Sequence, residues 1–386
     1  MTEPLLTNEE KEAARRFMNE ALQEARKAEG RTRPNPCVGV IIVKNGRVVG
    51  RGFHERAGAP HAEVMALRAA GELAKGADLY STLEPCDHTG RTPPCTRALI
   101  QAGIARVFVG CTDINPKVSG KGIQRLRGSG IRVYTDILAK DCQALNAPFF
   151  KFVTTHRPFV TLKVAATADG KIATGTGHSQ WITCPESREL VHRWRDQVDA
   201  VLVGANTLRL DDPLLTARPG GVRQKRQPWR IILSRSMDIP PAARLFSDVT
   251  PQAPVLVVTP SFSAAASETA SVLRSKGVQV EAAEPASGDD SCLDAMLRLL
   301  ADRDIMHLMV EGGAALLGQF IREGLFDRLQ LFVAPKILGS GLSWAGFDGP
   351  DRMALAKPLQ SENVRRVGDD FLLTYSRPPA VPTNVQ

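Results

Sequence analysis

Residues 61–95, HAEVMALRAAGELAKGADLYSTLEPCDHTGRTPPC, decide the fold of the first half of this 386-residue chain. The stretch carries one imidazole, at His61, and two thiols, at Cys86 and Cys95, which are ligands that suit Zn²⁺. Three protein ligands leave a fourth coordination position for water, and zinc lowers the pKa of bound water to about 7. Glu63 supplies a carboxylate that can move protons without binding the metal. The stretch therefore predicts a catalytic zinc site with Glu63 as general acid and base.

The segments around these ligands predict alternating strands and helices, the pattern of an α/β layer rather than a zinc ribbon. Pro60 precedes one helix, so His61 and Glu63 share its first turn and can both point past its end. Cys95 lies in the first turn of the next helix, so both cysteines are near a helix start, where the thiolate is favoured. The expected helices cover residues 7–30, 60–75 and 138–151 and begin again at residue 93, and the expected strands cover residues 38–44, 47–53, 77–83, 105–111 and 131–136.

Two structural interpretations of the same ligands stay open. His88 would close the site as a fourth ligand of a purely structural zinc centre, although closed sites usually pair their cysteines at short spacing and have no need of Glu63. Cys86 and Cys95 would otherwise be buried small hydrophobes, although each directly follows a proline in a polar loop. The zinc nucleoside and nucleobase deaminases share the catalytic arrangement, with Pro-Cys-x-x-Cys as its second half. Here eight residues separate the two cysteines.

Length and composition describe an ordinary globular enzyme of two or three domains, since 43% of the residues are apolar and 23% are charged. No apolar run is long enough to span a bilayer, and the N-terminus begins acidic and continues as a charged helix, unlike a signal peptide. The seven cysteines are odd in number and scattered, which is typical of reduced thiols and metal ligands. We therefore expect a cytoplasmic protein that does not bind membranes.

The net charge of +8 fits a preference for anionic small molecules and does not require nucleic acid. The densest basic run, residues 218–230, is interrupted by prolines and glycines and is typical of a solvated loop. Aromatic residues make up only 5% of the chain and form no series that could stack bases. We expect a small-molecule substrate and no nucleic-acid partner.

The second half predicts another α/β domain. Gly312 and Gly313 follow a strand at a helix start, where a phosphate could approach backbone N–H groups, although paired glycines also serve packing. No G-x-G-x-x-G follows the first strand, which disfavours a Rossmann dinucleotide fold. The expected strands cover residues 159–166, 198–204, 229–233, 255–259, 278–281, 306–310 and 329–334, the expected helices cover residues 185–196, 263–276, 292–302 and 314–324, and a hairpin is expected within residues 363–375.

Motifs in both halves resemble the bifunctional riboflavin-biosynthesis deaminase–reductase family. Those of the first half are Asn35-Pro36-Cys37-Val38-Gly39, Gly52-Phe53-His54, Thr82-Leu83-Glu84-Pro85-Cys86, and His88 with Gly90-Arg91-Thr92-Pro93-Pro94-Cys95. Those of the second half are Leu162-Lys163, Asp169-Gly170-Lys171, Ser179-Gln180-Trp181-Ile182-Thr183, Asp211-Asp212-Pro213-Leu214-Leu215-Thr216, Val310-Glu311-Gly312-Gly313 and Ala334-Pro335-Lys336. The resemblance extends from about Asn35 to Tyr375, and the motifs keep the family's order.

The resemblance implies an α/β protein in which a cytidine-deaminase-like three-layer domain, residues 1–153, precedes a dihydrofolate-reductase-like domain, residues 154–378. Residues 379–386 would form a disordered tail. It implies hydrolytic deamination of 2,5-diamino-6-ribosylamino-pyrimidinone 5′-phosphate with one Zn²⁺ per chain, followed by NADPH-dependent reduction of the ribosyl group to a ribityl chain. It also implies a homo-oligomer, dimer or tetramer.

The family pattern assigns roles to particular residues. The zinc ligands would be His61, Cys86 and Cys95, the catalytic carboxylate Glu63, and the substrate-binding residues of the first domain Asn35, His54, His88 and Arg91. In the second domain the cofactor-binding positions would be Ala165, Trp181, Thr207, Asp211 and the segment from Gly313, and the substrate-binding positions Ser179, Arg195, Leu215, Arg218 and Glu311. Arginines suit this substrate because a guanidinium binds a phosphate monoester through two hydrogen bonds.

Simpler interpretations exist for three of these residues. Without the family, Arg195 would be a helix-surface charge beside Asp196, Trp181 a core aromatic, and His54 a strand-end residue with a satisfied hydrogen bond. The chain also departs from the family at Ser234-Arg235, where the family usually has Asp-Ser, so the cofactor contact of the family's serine is in doubt.

Two other functions stay open at the level of the sequence. One is a single-activity zinc deaminase of nucleosides or RNA, in which the C-terminal domain is a non-catalytic binding domain. Such a protein would be expected to have a tight Pro-Cys-x-x-Cys and a basic, aromatic surface for a nucleic-acid strand, and this sequence has neither. The other is a zinc-stabilised interaction protein, in which the removal of the Glu63 carboxylate would leave function intact.

Overall fold

The computed structural model describes residues 5–88, 93–115, 119–285 and 291–378. The chain forms two compact units, Met1–His156 and Arg157–Gln386. The expected tail, residues 379–386, lies outside the described residues. Within the described residues, every helix is too short or too polar to cross a membrane.

The first unit is a five-stranded sheet with helices packed against it, in the strand order β2-β1-β3-β4-β5. Strand β1 runs antiparallel to β2 and β3, whereas β3, β4 and β5 are parallel. The elements are α1 (Asn8–Arg26), β1 (Gly39–Lys44), β2 (Arg47–Phe53), α2 (Ala62–Ala70), β3 (Asp78–Leu83), α3 (Cys95–Gln101), β4 (Arg106–Cys111), α4 (Lys121–Gly128), β5 (Arg132–Tyr134), α5 (Ala139–Leu145) and α6 (Ala147–Thr155).

Local sequence explains why β1, β2 and α2 form where they do. Asn45 and Gly46 both have positive φ, 51° and 75°, as the tight turn of a two-residue hairpin requires. A Cβ atom at Gly52 would lie 2.4 Å from the backbone oxygen of Ala62, so only glycine lets α2 approach β2 this closely. This close approach fixes the start of α2, which carries His61 and Glu63, against the sheet.

The structure corrects two helices expected in this unit. The helix expected over residues 138–151 is two helices, because Asn146 leaves helical geometry and its side chain bonds the backbone N–H and C=O of Cys37, at 2.8 and 2.9 Å. The helix expected to reach residue 75 ends at Ala70 and continues as a single 3₁₀ turn, since Gly71 adopts a φ of 55°.

The second unit is a nine-stranded sheet in the order β11-β10-β9-β8-β12-β6-β13-β16-β15, with a separate two-stranded ribbon of β14 and β7. Its strands are β6 (Phe159–Thr167), β7 (Lys171–Ala173), β8 (Ala200–Gly204), β9 (Trp229–Leu233), β10 (Val255–Thr259), β11 (Gln279–Ala282), β12 (His307–Val310), β13 (Arg328–Ala334), β14 (Leu342–Ser343), β15 (Gln360–Val367) and β16 (Asp370–Ser376). Its helices are α7 (Pro185–Gln197), α8 (Ala205–Asp211), α9 (Phe262–Ala265), α10 (Glu268–Ser275), α11 (Cys292–Ala301) and α12 (Ala314–Glu323).

The order of the parallel strands places the functional loops together. Strands β8, β12 and β6 are neighbours and parallel, so the segments that follow their carboxyl ends meet at one edge of the sheet. Two apolar cores flank the sheet, one built with Leu293, Met296 and Phe320 and the other with Leu208 and Leu273. Strand β16 pairs antiparallel with β13, and β15 pairs antiparallel with β16 and ends the sheet.

Three features of this unit differ from the sequence prediction. The helix expected over residues 263–276 is divided into α9 and α10, because the Ser267 hydroxyl accepts from the Ala270 N–H and starts a new helix. Helix α8 was not expected, nor was the short ribbon of β7 and β14. The predicted strands at residues 229–233 and 255–259 have the predicted bounds.

Candidate active sites

Three ligand atoms converge in the first unit. The Nδ1 atom of His61 lies 3.2 Å from Sγ of Cys95 and 3.5 Å from Sγ of Cys86. All three donor atoms lie within 4.8 Å of one another. One imidazole and two thiols at this spacing fit a zinc ion bound by three protein ligands. His88 is not part of this cluster, and its side chain is exposed.

Each ligand is held by a different element. His61 is the N-cap residue of α2, and Cys95 is the first residue of α3. Cys86 lies in the loop after β3, where the backbone N–H of Cys95 donates to its sulfur at 3.5 Å. A hydrogen bond from the Cys95 thiol, helped by His61 and opposed by burial, lowers the pKa of Cys86 to about 4. The loop therefore presents Cys86 as a thiolate, the form that binds metal.

Glu84 anchors the loop that carries Cys86. Its buried carboxylate accepts four backbone N–H groups, from Asp113 at 3.3 Å, Gly120 at 2.9 Å, Gly122 at 2.9 Å and Ile123 at 3.2 Å. These donors include backbone N–H groups in the first turn of α4. The Glu84 side chain therefore accepts hydrogen bonds that the start of this helix would otherwise lack, and it also fixes the loop that carries Cys86. The sequence showed Glu84 only as part of a motif, because its partners lie about 30 to 40 residues later in the chain.

Glu63 lies in the first turn of α2, buried beside the ligands. Burial, and then the negative charge of the Cys86 thiolate, raise the pKa of Glu63 to about 7. A dication bound by the three ligands would lower this pKa again. The carboxyl group therefore lies beside the ligands, in a position from which it can accept and return a proton.

A cavity of about 530 Å³ opens beside these residues. It is lined by most of the residues that the sequence had singled out: Asn35, His54, His61, Glu63, Cys86 and His88. Cys95 lies beneath the cavity wall, fully buried. Arg91 lies outside the described residues. Asp113, Asn115 and two aromatic rings of α6, Phe149 and Phe152, complete the lining and were not predicted, because only tertiary packing brings them to the site.

His54 has both ring nitrogens engaged. Nδ1 lies 3.2 Å from the Pro60 carbonyl oxygen, so it carries the proton, and Nε2 accepts from the Asn35 side-chain amide at 3.0 Å. Burial lowers the pKa of His54, which favours this neutral form. The arrangement matches the simpler interpretation of His54 as a strand-end residue whose hydrogen bonds are satisfied. It also fixes the orientation of the Asn35 side chain.

The second unit holds a cavity of about 710 Å³ at the carboxyl ends of its parallel strands. All ten residues that the sequence had assigned to this half line the cavity: Ala165, Ser179, Trp181, Thr207, Asp211, Arg195, Leu215, Arg218, Glu311 and Gly313. Six of these residues come from three of the quoted motifs, and the other four, Ala165, Arg195, Thr207 and Arg218, lie outside the motifs. Their individual roles remain predictions.

A buried ion cluster forms one wall of this cavity. Nε and Nη2 of Arg195 donate to the two carboxylate oxygens of Glu311, at 2.7 and 2.9 Å, and Nζ of Lys163 lies 3.6 Å from Oε2 of the same carboxylate. Burial alone would raise the pKa of Glu311, but the charges of Arg195 and Lys163 outweigh it and lower the pKa to about 2. Arg195 is therefore not a surface charge, and Lys163 joins the site although the sequence had given it no role.

Polar contacts organise the rest of the cavity. The Ser179 hydroxyl donates to Asp211 at 3.2 Å, and the Gly313 N–H donates to the Thr207 hydroxyl at 3.2 Å. Trp181 is 64% exposed, which rules out the interpretation as a core aromatic. The Arg188 guanidinium lies 4.7 Å from the centre of the Trp181 ring and so holds it by a cation–π contact.

The departure at Ser234-Arg235 lies away from this lining. Ser234 is buried, and its hydroxyl has no hydrogen-bond partner among the described residues. Two further arginines and a histidine that the sequence did not assign also line the cavity: Arg188, Arg244 and His192. Their separation along the chain gave no signal that they would meet.

Two family models match the chain. Residues 11–111 match the zinc-binding region of cytidine and deoxycytidylate deaminases, and residues 158–373 match the RibD C-terminal domain. The first match contains His61, Glu63, Cys86 and Cys95, and the second contains the whole lining of the larger cavity.

Similar proteins and structures match along nearly the whole chain. The riboflavin biosynthesis protein RibD of Aquifex aeolicus is 46% identical over 367 residues, with 95% of this chain and 99% of that protein covered. The Escherichia coli RibD is 38% identical over 368 residues, covering 92% and 97%. The structure of Acinetobacter baumannii RibD superposes with a TM-score of 0.82 at 36% identity, covering 96% of this chain and 100% of that one. A Thermotoga maritima structure gives the same TM-score, identity and coverage, and is named a diaminohydroxyphosphoribosylaminopyrimidine deaminase/5-amino-6-(5-phosphoribosylamino)uracil reductase.

Proposed function

The chain belongs to the RibD family of bifunctional riboflavin-biosynthesis enzymes, and from that membership we propose how its two cavities divide the two reactions. It is an enzyme with a deaminase half and a reductase half, and the predicted fold class, a cytidine-deaminase-like domain followed by a reductase domain, is confirmed. The alternative of a single deaminase activity with a non-catalytic second domain is not favoured, because the relatives match both halves.

The cavity of the first unit is the proposed deaminase site, and the convergence of His61, Cys86 and Cys95 beside Glu63 carries this proposal. These three residues would hold one zinc ion, which supplies a Lewis acid that lowers the pKa of water. Glu63 would take the proton of the attacking water and return it to the pyrimidine ring nitrogen and the departing ammonia. Asn35, directed by His54, would contact the pyrimidine, with His88 and Arg91 on the phosphate side.

The cavity of the second unit is the proposed reductase site. NADPH would supply the hydride that opens the ribosylamine to a ribityl chain. Ala165, Trp181, Thr207, Asp211 and Gly313 would contact the cofactor. Ser179, Arg195, Leu215, Arg218 and Glu311 would contact the substrate. The fixed ion cluster around Glu311 supports this division, because it presents an ordered polar wall to a sugar while the buried carboxylate keeps its counter-charges.

We also propose that the protein is a homo-oligomer in which a second copy covers the outer face of β15 and β16. The strand register puts Val364, Phe371 and Leu373 on the same face, and Val364 and Phe371 are more than half exposed, at 56% and 52%. Strand β15 also ends the sheet and leaves backbone groups free to pair. Light scattering on the purified protein separates a dimer or tetramer from a monomer, and a monomer would rule this proposal out.

The test of the two activities compares wild type with Glu63→Ala, and uses Glu72→Ala, an exposed carboxylate after α2, as the matched control. Wild type and the control should release ammonia from the diaminopyrimidinone phosphate and oxidise NADPH. Glu63→Ala should do neither with that substrate, but should oxidise NADPH when given the deaminated intermediate. Its zinc content, measured by atomic absorption, should equal that of wild type because Glu63 is not a ligand.

Two outcomes would overturn parts of this assignment. Ammonia release without NADPH oxidation by wild type would remove the reductase assignment and direct attention to Ser234 and Arg235. Ammonia release by Glu63→Ala at the wild-type rate would remove the proton-transfer role and favour the structural interpretation of the zinc site.

A further inference from the structure

A third cavity, of about 720 Å³, lies in the first unit between the start of α1 and the segment that joins β5 to α5. Within the described residues it shares no lining residue with the cavity beside His61 and Glu63. Its volume falls in the range of small-molecule sites, roughly 300–1,000 Å³. Neither of the two proposed reactions uses this cavity, so its ligand has to be inferred from its own lining.

A series of stacked aromatic rings ends in this cavity. Tyr80, Phe108 and Tyr134 are paired in register on β3, β4 and β5. The ring centroids of Tyr80 and Phe108 are 4.5 Å apart and those of Phe108 and Tyr134 are 5.0 Å apart, at interplanar angles of 10° and 19°. Strand β5 is the edge of the sheet, so Tyr134 is the last ring of the series, half-buried and part of the cavity lining.

Tyr134 is therefore the surface on which a planar ligand would stack. Phe108 takes one face of its ring, and no other ring of the described residues contacts it. A planar ligand on the cavity side would add one more ring to the series, and offset stacking of this kind is favourable beyond the apolar area that it buries. Leu6, Ile137 and Leu138 add apolar lining to the same cavity.

Four cationic side chains line the cavity as well: Lys11, Arg15, Arg127 and Lys140. Lys11 and Arg15 are four residues apart on α1, so both project from the same face of the helix. In the part of the chain that the structure describes, the side-chain nitrogens of Lys11, Arg15 and Lys140 have neither a hydrogen-bond partner nor an ion-pair partner. Arg127 donates to the Val133 carbonyl oxygen at 2.9 Å and is thereby held at the edge of the sheet.

The acidic groups around the cavity do not balance these cations. Asp136 and Asp141 line it; Asp136 accepts from the Thr135 hydroxyl at 2.8 Å, and Asp141 lies in the first turn of α5, where the helix N-terminus favours its charge. Glu10 of α1 lies outside the lining and accepts from Arg106 at 2.8 Å. Four cations against two carboxylates leave the lining with a net positive charge, which favours an anionic ligand.

From these contacts we propose that the cavity binds a planar aromatic ring that carries a phosphate, with the ring stacked on Tyr134 and the phosphate held by Lys11 and Arg15. A phosphate suits this pair because a guanidinium binds two phosphate oxygens through parallel hydrogen bonds, and the lysine adds a point charge. The site goes beyond the proposed function, since neither reaction takes place there.

The test uses the purified full-length protein and flavin mononucleotide as the probe, because this molecule joins a planar three-ring system to one phosphate. Riboflavin, which has the same rings and no phosphate, is the matched probe. Flavin fluorescence falls when the rings stack on a tyrosine, so a titration with protein gives the Kd. Wild type should bind riboflavin about 10-fold or more weakly than flavin mononucleotide, the size expected for charge-assisted hydrogen bonds to the phosphate.

Variants of the lining separate the two parts of the site. Arg15→Ala should weaken the binding of flavin mononucleotide by about 5-fold or more and leave that of riboflavin unchanged, because riboflavin has no phosphate for it to hold. Tyr134→Leu should weaken the binding of both flavins, whereas Tyr134→Phe keeps a ring and should bind as wild type does. Arg125→Ala, which removes an exposed arginine of α4 outside the lining, is the matched control for Arg15→Ala and should keep the wild-type Kd.

Two further variants show whether the probe occupies one of the other cavities. Trp181→Ala alters the reductase cavity and Phe152→Ala alters the cavity beside Glu63, and both should bind flavin mononucleotide as wild type does. A weaker Kd in either of them with a wild-type Kd in Arg15→Ala would overturn the proposal. Equal Kd values for the two flavins, or no saturable loss of fluorescence with wild type, would overturn it as well.

The folded state of the variants and the independence from catalysis complete the design. Thermal melting shows whether Tyr134→Leu is folded, and Arg15→Ala, at an exposed position, supplies the comparison if it is not. The assay measures binding alone, so failure of either proposed reaction would leave its result unchanged.

Discussion

Glu84 shows how one side chain can hold a metal site without touching the metal. Its two carboxylate oxygens accept four backbone N–H groups, and the next two residues along the chain lead to the ligand Cys86. Replacing Glu84 by glutamine substitutes an NH₂ group for one of these oxygens, so two buried donors face a donor. Each buried donor that loses its acceptor costs about 1–3 kcal/mol.

We expect Glu84→Gln to lower the zinc content and the ammonia release of the protein, while NADPH oxidation of the deaminated intermediate stays at the wild-type level. The measurements are zinc per chain after dialysis and the two activity assays. Glu72→Gln, which changes an exposed carboxylate in the same unit, is the control. Full zinc content in Glu84→Gln would show that the loop holds Cys86 without this carboxylate.

At this scale the sequence predicted residues whose chemistry is unusual and missed those whose partners are backbone groups or distant side chains. His61, Cys86 and Cys95 were predicted because an imidazole and two thiols in a polar stretch have few other uses. Arg244 was not predicted, because an arginine in a loop is ordinary until the fold places it at a cavity.

Helix α7 depends on a side chain that lies far from it in the sequence. The helix has no side-chain cap of its own; instead the buried Asp370, at the start of β16, accepts from the Cys184 N–H at 2.9 Å and the Ser187 hydroxyl at 2.6 Å. The same helix carries His192 and Arg195 to the reductase cavity. The hairpin of β15 and β16 therefore sets the position of α7 and of these two side chains.

We expect Asp370→Ala to lower the free energy of unfolding of the second unit by about 1–3 kcal/mol, the range for a lost cap or buried hydrogen bond. It should also raise the reductase KM and leave ammonia release unchanged. Asp369→Ala is the matched control, because the neighbouring Asp369 side chain is 80% exposed and pairs only with Arg366 in the described structure. Asp370→Asn keeps one acceptor oxygen and should recover most of the KM. An unchanged KM in Asp370→Ala would mean that α7 is positioned by packing alone.

Elements were predicted well where a periodic apolar pattern coincided with a turn or cap signal, as in the hairpin at Asn45-Gly46 and in α7 with Pro185 at its start. They were predicted poorly where a polar side chain left the helix to bond elsewhere. Asn146 bonds the backbone of Cys37, 109 residues away, and breaks a helix that the local pattern continues.

At the scale of the whole molecule, the order of the nine strands in the second sheet could not be obtained from local pattern. Strand β6 pairs with β12 and β13, which lie more than 140 residues later in the chain. This order is what gathers ten predicted residues round one cavity. Apart from Gly313, which the local pattern had marked, the sequence supplied those residues through resemblance to a family, since no local signal linked Ala165 to Glu311.

His307 and Glu311 should both contribute to a loss of stability of the second unit in acid, each in its own pH range. Burial, and then the charge of Arg328, lower the pKa of His307 from 6.5 to about 3. Glu311 has its pKa lowered from 4.5 to about 2 by Arg195 and Lys163, against the effect of burial. Both groups have a lower pKa in the folded state than in the unfolded state. The contribution of each group to the free energy of unfolding is therefore fully present above its unfolded-state pKa, and it is lost as the pH falls toward its folded-state pKa. The loss due to His307 should begin near pH 6.5, and that due to Glu311 near pH 4.5.

The measurement is urea unfolding between pH 7.5 and 4, followed by tryptophan fluorescence, because all four tryptophans lie in the second unit. One group that takes up a full proton on unfolding changes the free energy of unfolding by up to ~1.4 kcal/mol per pH unit. His307→Gln should reduce the dependence of the free energy of unfolding on pH between pH 6.5 and 4.5, and should keep the steeper loss of stability below pH 4.5. His178→Gln, on the turn after β7, is the control and should leave the pH dependence unchanged in both ranges. Equal slopes in wild type and His307→Gln would show that His307 takes up a proton in the folded protein, and that its site opens to water before the unit unfolds.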